Sequence, residues 1–146
     1  MIDPYRDNML FAIGCAREAA AKGDYAVGAV IANGPFVVNY SGNRAKLDQD
    51  PTSHAEVVVI RNAAKIRGTR HLEDLVLYST HEPCPMCTSA AIWAKLKGIV
   101  FGAKIEDMIE YAAKNGNANY SWRVINLKCK DVADKGNPRI EVVESF

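Results

Sequence analysis

An α/β sandwich with parallel neighbouring strands is the fold class this sequence predicts, and two observations carry the prediction. Between residues 54 and 103, helical segments alternate with short, compact apolar runs of strand length, the pattern of strands covered on both faces by crossover helices. The chain has 146 residues, 49% of them hydrophobic and 24% charged, which suits one soluble domain around a single core.

Taken in order, Asp3-Pro4 opens a first helix, and Met9, Leu10, Ile13, Ala16 and Ala20 recur with the 3.6-residue period of one buried face, ending near Lys22. Gly23-Asp24 breaks it. Val27 to Ala32 and Phe36 to Tyr40 flank an Asn33-Gly34-Pro35 turn and read as a hairpin. The polar stretch Ser41 to Ser53 ends in Asp50-Pro51 and reads as a loop long enough to line a site, before a helix from about His54 to Arg67. Leu75 to Thr80 suits a buried strand, Pro85 opens a helix to about Lys95, and Gly98 to Ala103 is another buried strand. Beyond Ile105 the pattern weakens. Met108, Ile109 and Ala112 suggest a short helix, Asn115-Gly116-Asn117 breaks it, and Arg139 to Glu144 reads as a last strand before the sequence ends at Phe146.

Composition narrows the function. Eighteen basic against 17 acidic residues leave a formal charge of +1, and the signs are spread evenly over both halves, so no basic arm invites nucleic acid or an anionic membrane surface. The longest apolar stretches fall far short of the roughly 18 residues that a bilayer crossing requires, and no membrane partner is expected. Met1-Ile2-Asp3-Pro4-Tyr5 lacks the basic and apolar regions of a secretory signal, so the expected location is the cytoplasm. Four cysteines are too few for a disulfide scaffold, and in a reducing compartment a Cys-x-x-Cys pair points to metal or redox chemistry.

Two motifs carry chemistry: His54-Ala55-Glu56 at one predicted helix start and Pro83-Cys84-Pro85-Met86-Cys87 at another. Their pairing is the H-x-E and P-C-x-x-C signature of zinc deaminases. Cys84 and Cys87, three apart, lie on one side of a helix start, where free N–H groups and the helix dipole favour thiolate. With His54 they give a three-ligand set that leaves the fourth tetrahedral position open for water, as a catalytic zinc requires. Glu56 lies two residues on, about 200° around a regular helix from His54. That separation is tolerable only if the metal sits between two helix N-termini, where first-turn side chains lean around the open end. Placed there, Glu56 takes a proton from the zinc-activated water and passes it to the substrate.

Each residue also has a plainer reading. Ser53 and Glu56 match a capping box, and the cysteines alone suit a redox pair or two buried thiols. Cys15 and Cys129 read as packing residues, His71 lies in a charged loop, and His81 lies near the site without a needed role. The combination of two helix starts, a complementary ligand set and a base favours the catalytic reading.

On these residues, together with Val27-Gly28-Ala29-Val30 and Asp50-Pro51-Thr52-Ser53, the chain resembles the cytidine deaminase superfamily, within it the branch of nucleobase and tRNA-adenosine deaminases. The resemblance spans about residues 26 to 104. It implies a three-layer α/β/α sandwich with a mixed five-stranded sheet, one zinc per subunit, a homodimer or higher oligomer, and hydrolytic replacement of an exocyclic amine by oxygen with release of ammonia. Asn43 matches the position whose amide binds the base, where an unaided reading gives an Asx-turn; Ala55, Val27 and Trp93 complete the substrate-binding set that the resemblance suggests. Pro85-Met86 and Ile92-Trp93-Ala94 are similar to bacterial guanine deaminases. Val27, standing where those enzymes carry a stacking Phe, is more like the tRNA-adenosine or cytosine enzymes. Trp93, about 240° around the helix from Cys87, reads as core rather than pocket.

The leading expectation is a zinc hydrolase acting on a free nucleobase or small aminated heterocycle, guanine-like before cytosine. A tRNA-specific adenosine deaminase is the enzymatic alternative, and a non-catalytic zinc-binding module the alternative of another class, disfavoured by Glu56.

Overall fold

The computed structural model describes residues 1–116 and 123–146. Its elements run α1 (Arg6–Ala21), β1 (Gly28–Asn33), β2 (Phe36–Gly42), α2 (Ala55–Arg67), β3 (Val76–His81), α3 (Pro85–Trp93), β4 (Gly98–Ala103), α4 (Ile105–Asn115), α5 (Cys129–Asp134) and β5 (Glu141–Val143). One five-stranded sheet has the order β2-β1-β3-β4-β5. Parallel pairing holds for β3 with β4 and β4 with β5, as the helical crossovers require, while β1 runs antiparallel to both β2 and β3. The sheet is therefore mixed.

Strand alternation divides the core. Ala29 and Ile31, Leu77, and Ile99 and Phe101 face a cluster with Ala55, Val59 and Ala63 of α2, Ala91 of α3 and Cys129 and Ala133 of α5. Val30, Ala32, Tyr78 and Val100 face Met9 and Ala12 of α1 on the other side. Helix, sheet and helix thus form three layers.

The buried stripe of α1 is Asn8, Met9, Ala12, Cys15, Ala16 and Ala19, whereas Leu10 and Ala20, expected inside, face solvent. Small residues take the inner face because the helix rests on two glycines paired across the hairpin, Gly28 and Gly42. A Cβ on Gly28 would strike the Ala12 carbonyl, and one on Gly42 would lie 2.6 Å from the Ala19 Cβ. Close approach of helix and sheet, not volume filling, selects these residues.

Past β4 the sequence pattern was least informative. The helix expected around Met108 runs from Ile105 to Asn115, and Asn117 of the expected break lies outside the described residues. Helix α5 was not foreseen, and the last strand is three residues long rather than six. With six residues, α5 is too short to show a helical period.

Candidate metal centre and active site

The loop after β2 delivers the chain to α2 through a tight polar turn. Asp50 accepts hydrogen bonds from the Thr52 N–H (2.8 Å), the Thr52 hydroxyl (2.7 Å) and the Ser53 hydroxyl (3.1 Å). His54 follows as the N-cap of α2 in extended conformation (φ −66°, ψ 148°). Cys84 is the N-cap of α3 in the same conformation (φ −67°, ψ 170°), with Pro85 behind it fixing the first helical φ. Neither cap side chain bonds a backbone N–H of its own helix, so both remain available to face each other across the two helix starts.

They do so with Cys87. His54 Nδ1 lies 3.7 Å from Cys84 Sγ and 3.5 Å from Cys87 Sγ, and the two sulfurs are 3.6 Å apart. A tetrahedral zinc with ordinary Zn–S and Zn–N bonds spaces its donors at about 3.8 Å for two sulfurs and about 3.6 Å for sulfur and nitrogen. The triangle fits the ion. It is also the cluster of metal-binding side chains found among the described residues.

Cys84 is pulled down to about 4 by its hydrogen bond with Cys87 and, against its burial, by the His54 ring. Cys87 is pushed up by that same bond to Cys84 and by burial. His54 is raised, chiefly through its bond to Cys84. Such surroundings favour the thiolate form of Cys84, the form that binds a cation.

Glu56, buried in the first turn of α2, aims at this triangle. Its Oε1 accepts a 2.8 Å bond from the Ser79 hydroxyl of β3, and its Oε2 lies 3.5 Å from Cys87 Sγ. Burial pushes its pKa up. The capping box does not form, since the Ser53 hydroxyl is bound to Asp50 and Glu56 is turned to Ser79. The angular difficulty between His54 and Glu56 disappears because His54 is outside the helix proper.

Asn43 is not an Asx-turn residue. It is buried, its amide nitrogen donates to Asp24 Oδ1 at 2.9 Å, and its Oδ1 accepts the Ala55 N–H at 3.2 Å. Ala55 has no exposed surface and its N–H is engaged by Asn43. Val27 is buried beside Ala55 and Val59 in the core cluster. Trp93, at the end of α3, is 81% exposed, so it is not the core residue its apolar character suggested. An apolar pattern cannot tell a core aromatic from a surface one at a helix terminus. His81 closes β3 with Nδ1 2.8 Å from the Thr80 hydroxyl, and burial lowers its pKa.

Three carboxylate and hydroxyl groups around the site had escaped sequence reading. Ser79 holds Glu56. Asp24, just after the helix breaker Gly23, binds Asn43. Glu82, next to Pro83-Cys84, accepts the Ile105 N–H at 3.0 Å and the Cys129 N–H at 2.8 Å, anchoring the first residues of α4 and α5. Adjacency to the cysteine motif was the one signal available for Glu82. No one-dimensional signal marked the other two.

Residues 4–103 match the family described as the cytidine and deoxycytidylate deaminase zinc-binding region. The chain belongs to this family. Among its relatives, the guanine deaminase of Bacillus subtilis is 41% identical over 83 residues, covering 57% of this chain and 53% of that protein. The tRNA-specific adenosine deaminase of Buchnera aphidicola is 37% identical over 121 residues, covering 82% of this chain and 75% of that protein. The match thus spans about half the length of the first of these relatives. The solved structure of the Bacillus subtilis guanine deaminase superposes with a TM-score of 0.70 at 30% identity, covering 86% of this chain and 85% of that one. A structure from a study of A-to-I editing by tRNA:A34 deaminases gives a TM-score of 0.70 at 26% identity, over 96% and 92% of the two chains. The five-stranded deaminase fold and the zinc-binding character of the family thus stand together with the donor triangle.

Proposed function

We propose that the chain is a zinc-dependent hydrolytic deaminase that exchanges an exocyclic amine of a free nucleobase or small related heterocycle for oxygen. Water is consumed and ammonia released. The observation that carries this reading is Glu56, a buried carboxylate with one oxygen held by Ser79 and the other beside Cys87. A purely structural zinc site has no use for such a group.

In this reading His54, Cys84 and Cys87 hold one zinc. When bound there, the ion supplies a Lewis acid that lowers the pKa of a coordinated water to about 7. Glu56 accepts one proton from the attacking water at Oε2 and gives it to a ring nitrogen, then takes the remaining proton from the added hydroxyl and gives it to the amine as that leaves as ammonia, so that one residue serves as base and acid. Its burial suits both roles, because a raised pKa keeps proton transfer in either direction close to balanced. Ser79 fixes the carboxylate so that Oε2 is the oxygen left to move protons. Asn43 keeps a second amide hydrogen beyond its bond to Asp24 and contacts the ring, with Val27 as an apolar neighbour.

A guanine-like purine is favoured over cytosine by Pro85-Met86 and by the identity to the guanine deaminase. Val27 and the longer match to a tRNA-specific adenosine deaminase favour the second reading. A formal charge of +1, evenly spread, speaks for the small molecule. Ammonia release from guanine, cytosine, their nucleosides and an adenosine-containing anticodon stem-loop, at low and physiological salt, tests the proposal. Turnover of free guanine is expected. Efficient, strongly salt-dependent turnover of the stem-loop alone would move the chain to the tRNA-editing branch. The four cysteines, none of them disulfide-bonded, suit the reducing cytoplasm.

A further inference from the structure

Asp24 is a buried carboxylate outside the metal triangle, and four N–H groups converge on it. Oδ1 accepts from the Tyr25 N–H (2.8 Å) and the Asn43 amide (2.9 Å), and Oδ2 from the N–H groups of Lys46 (2.9 Å) and Leu47 (3.0 Å). No ion pair among the described residues involves it; besides its longer-range interactions with Arg44 and His54, these donors compensate its burial. They come from the turn after α1 and from the start of the long loop that ends at His54.

The bonds have a direction that matters. A carboxylate only accepts, so the Asn43 side chain must turn its NH2 group to Asp24 and its oxygen away. That oxygen receives the N–H of Ala55, the first helical residue of α2, which stands between His54 and Glu56. A flipped amide would set NH2 against N–H at Ala55 and oxygen against oxygen at Asp24.

We propose that Asp24 is a positioning residue: through the locked amide of Asn43 it fixes the N-terminus of α2, and with it the placement of His54 and Glu56. The proposal rests on the reading of those two residues as ligand and proton carrier. It extends the site to the turn after α1, 30 residues before His54 in the sequence.

The test uses the full-length protein, zinc-loaded or reconstituted with cobalt(II), whose absorption spectrum reports the geometry of its sulfur and nitrogen ligands. Asp24→Asn places an amide where only acceptors fit, so at least one donor meets another donor. Zinc affinity is expected to fall about 10- to 100-fold, as for other residues that support metal ligands, with an altered cobalt spectrum. Ammonia release, if present, should lose kcat more than KM. The exchanged pair Asp24→Asn with Asn43→Asp restores an acceptor for Ala55 and a donor–acceptor match between the two side chains, losing only the Tyr25 N–H bond to the same atom, and should recover the cobalt spectrum. If Asp24→Asn alone does not fold, the exchanged pair decides by folding with a normal spectrum. An unchanged spectrum and zinc affinity in folded Asp24→Asn overturns the proposal. So does an exchanged pair that folds yet keeps the altered spectrum, because Asp24 would then act on something other than the amide. Absence of ammonia release from wild type, with these spectral shifts present, would overturn the deaminase reading and leave the positioning role standing.

Discussion

Glu56 and Cys87 show how two residues of the same neighbourhood are held for different tasks. Cys87 belongs to the donor triangle, so Cys87→Ala leaves two protein ligands for an ion that needs three. The variant should purify with little zinc by elemental analysis, and full occupancy would remove Cys87 from the ligand set. Glu56 stands outside the triangle with one oxygen on Ser79. Glu56→Gln keeps a carbonyl for that hydroxyl but has no oxygen that accepts a proton, so zinc content should persist while turnover falls about 100- to 10,000-fold. Turnover close to wild type would show that the carboxylate only packs. Asn43 illustrates a changed expectation: a loop amide that by itself reads from sequence as an Asx-turn is a buried link between Asp24 and α2. Asn43→Ala should therefore lower thermal stability as well as turnover, by leaving the Ala55 N–H unpaired at a cost of about 1–3 kcal/mol. An unchanged melting temperature would contradict this.

At the scale of elements, the site is an intersection of helix starts. Two N-caps, His54 and Cys84, provide ligands, and Glu82 gathers the N-termini of α4 and α5 next to the cysteine motif. One carboxylate thus ties the C-terminal helices to the segment that carries Cys84. Glu82→Gln retains one carbonyl and presents NH2 to the other N–H. Loss of about 1–3 kcal/mol is expected by denaturant unfolding at neutral pH. Unfolding with wild-type stability would show that the two helices are held by packing alone. The hairpin supplies a different device, since Gly28 and Gly42 admit α1 to close range and thereby seat the turn that carries Asp24.

Over the whole molecule, pH acts on stability through the same buried anchor. Burial raises the Asp24 pKa, but the bonds from Asn43, Leu47, Tyr25 and Lys46 together outweigh it, and the net shift is downward from 3.8. A carboxylate with a depressed folded pKa stabilises the fold above its unfolded value, and that contribution disappears as pH falls through the folded value. The gap in stability between wild type and Asp24→Asn should hence be full at pH 7 and shrink on acidification below about pH 4, where unfolded carboxylates take up protons. A gap that is constant from pH 7 to pH 3, measured by urea unfolding, would show that Asp24 contributes packing rather than charge. The zinc centre works in the same direction at neutral pH: a metal bound only by the folded chain raises its stability by mass action.

What the sequence determined by itself is what local chemistry and short spacing encode. Cys84 and Cys87 three apart behind a proline, His54 two before Glu56, and the helix-strand alternation from 54 to 103 were legible because each is written within a few residues. The strand Gly98–Ala103 has the bounds expected for it. Contacts across long sequence separations were decided only by the tertiary structure. Asp24 meets Asn43 through the turn after α1, Ser79 meets Glu56 across the sheet, and Glu82 meets Cys129 through the close of the C-terminal helices. Trp93 faces outward and Leu10 leaves the α1 core for the same reason: which side of a helix is inside depends on the surface it is laid against, and glycines of the hairpin made that surface for α1. A buried carboxylate reads in sequence as any polar residue, because its meaning lies in the N–H groups that folding brings to it.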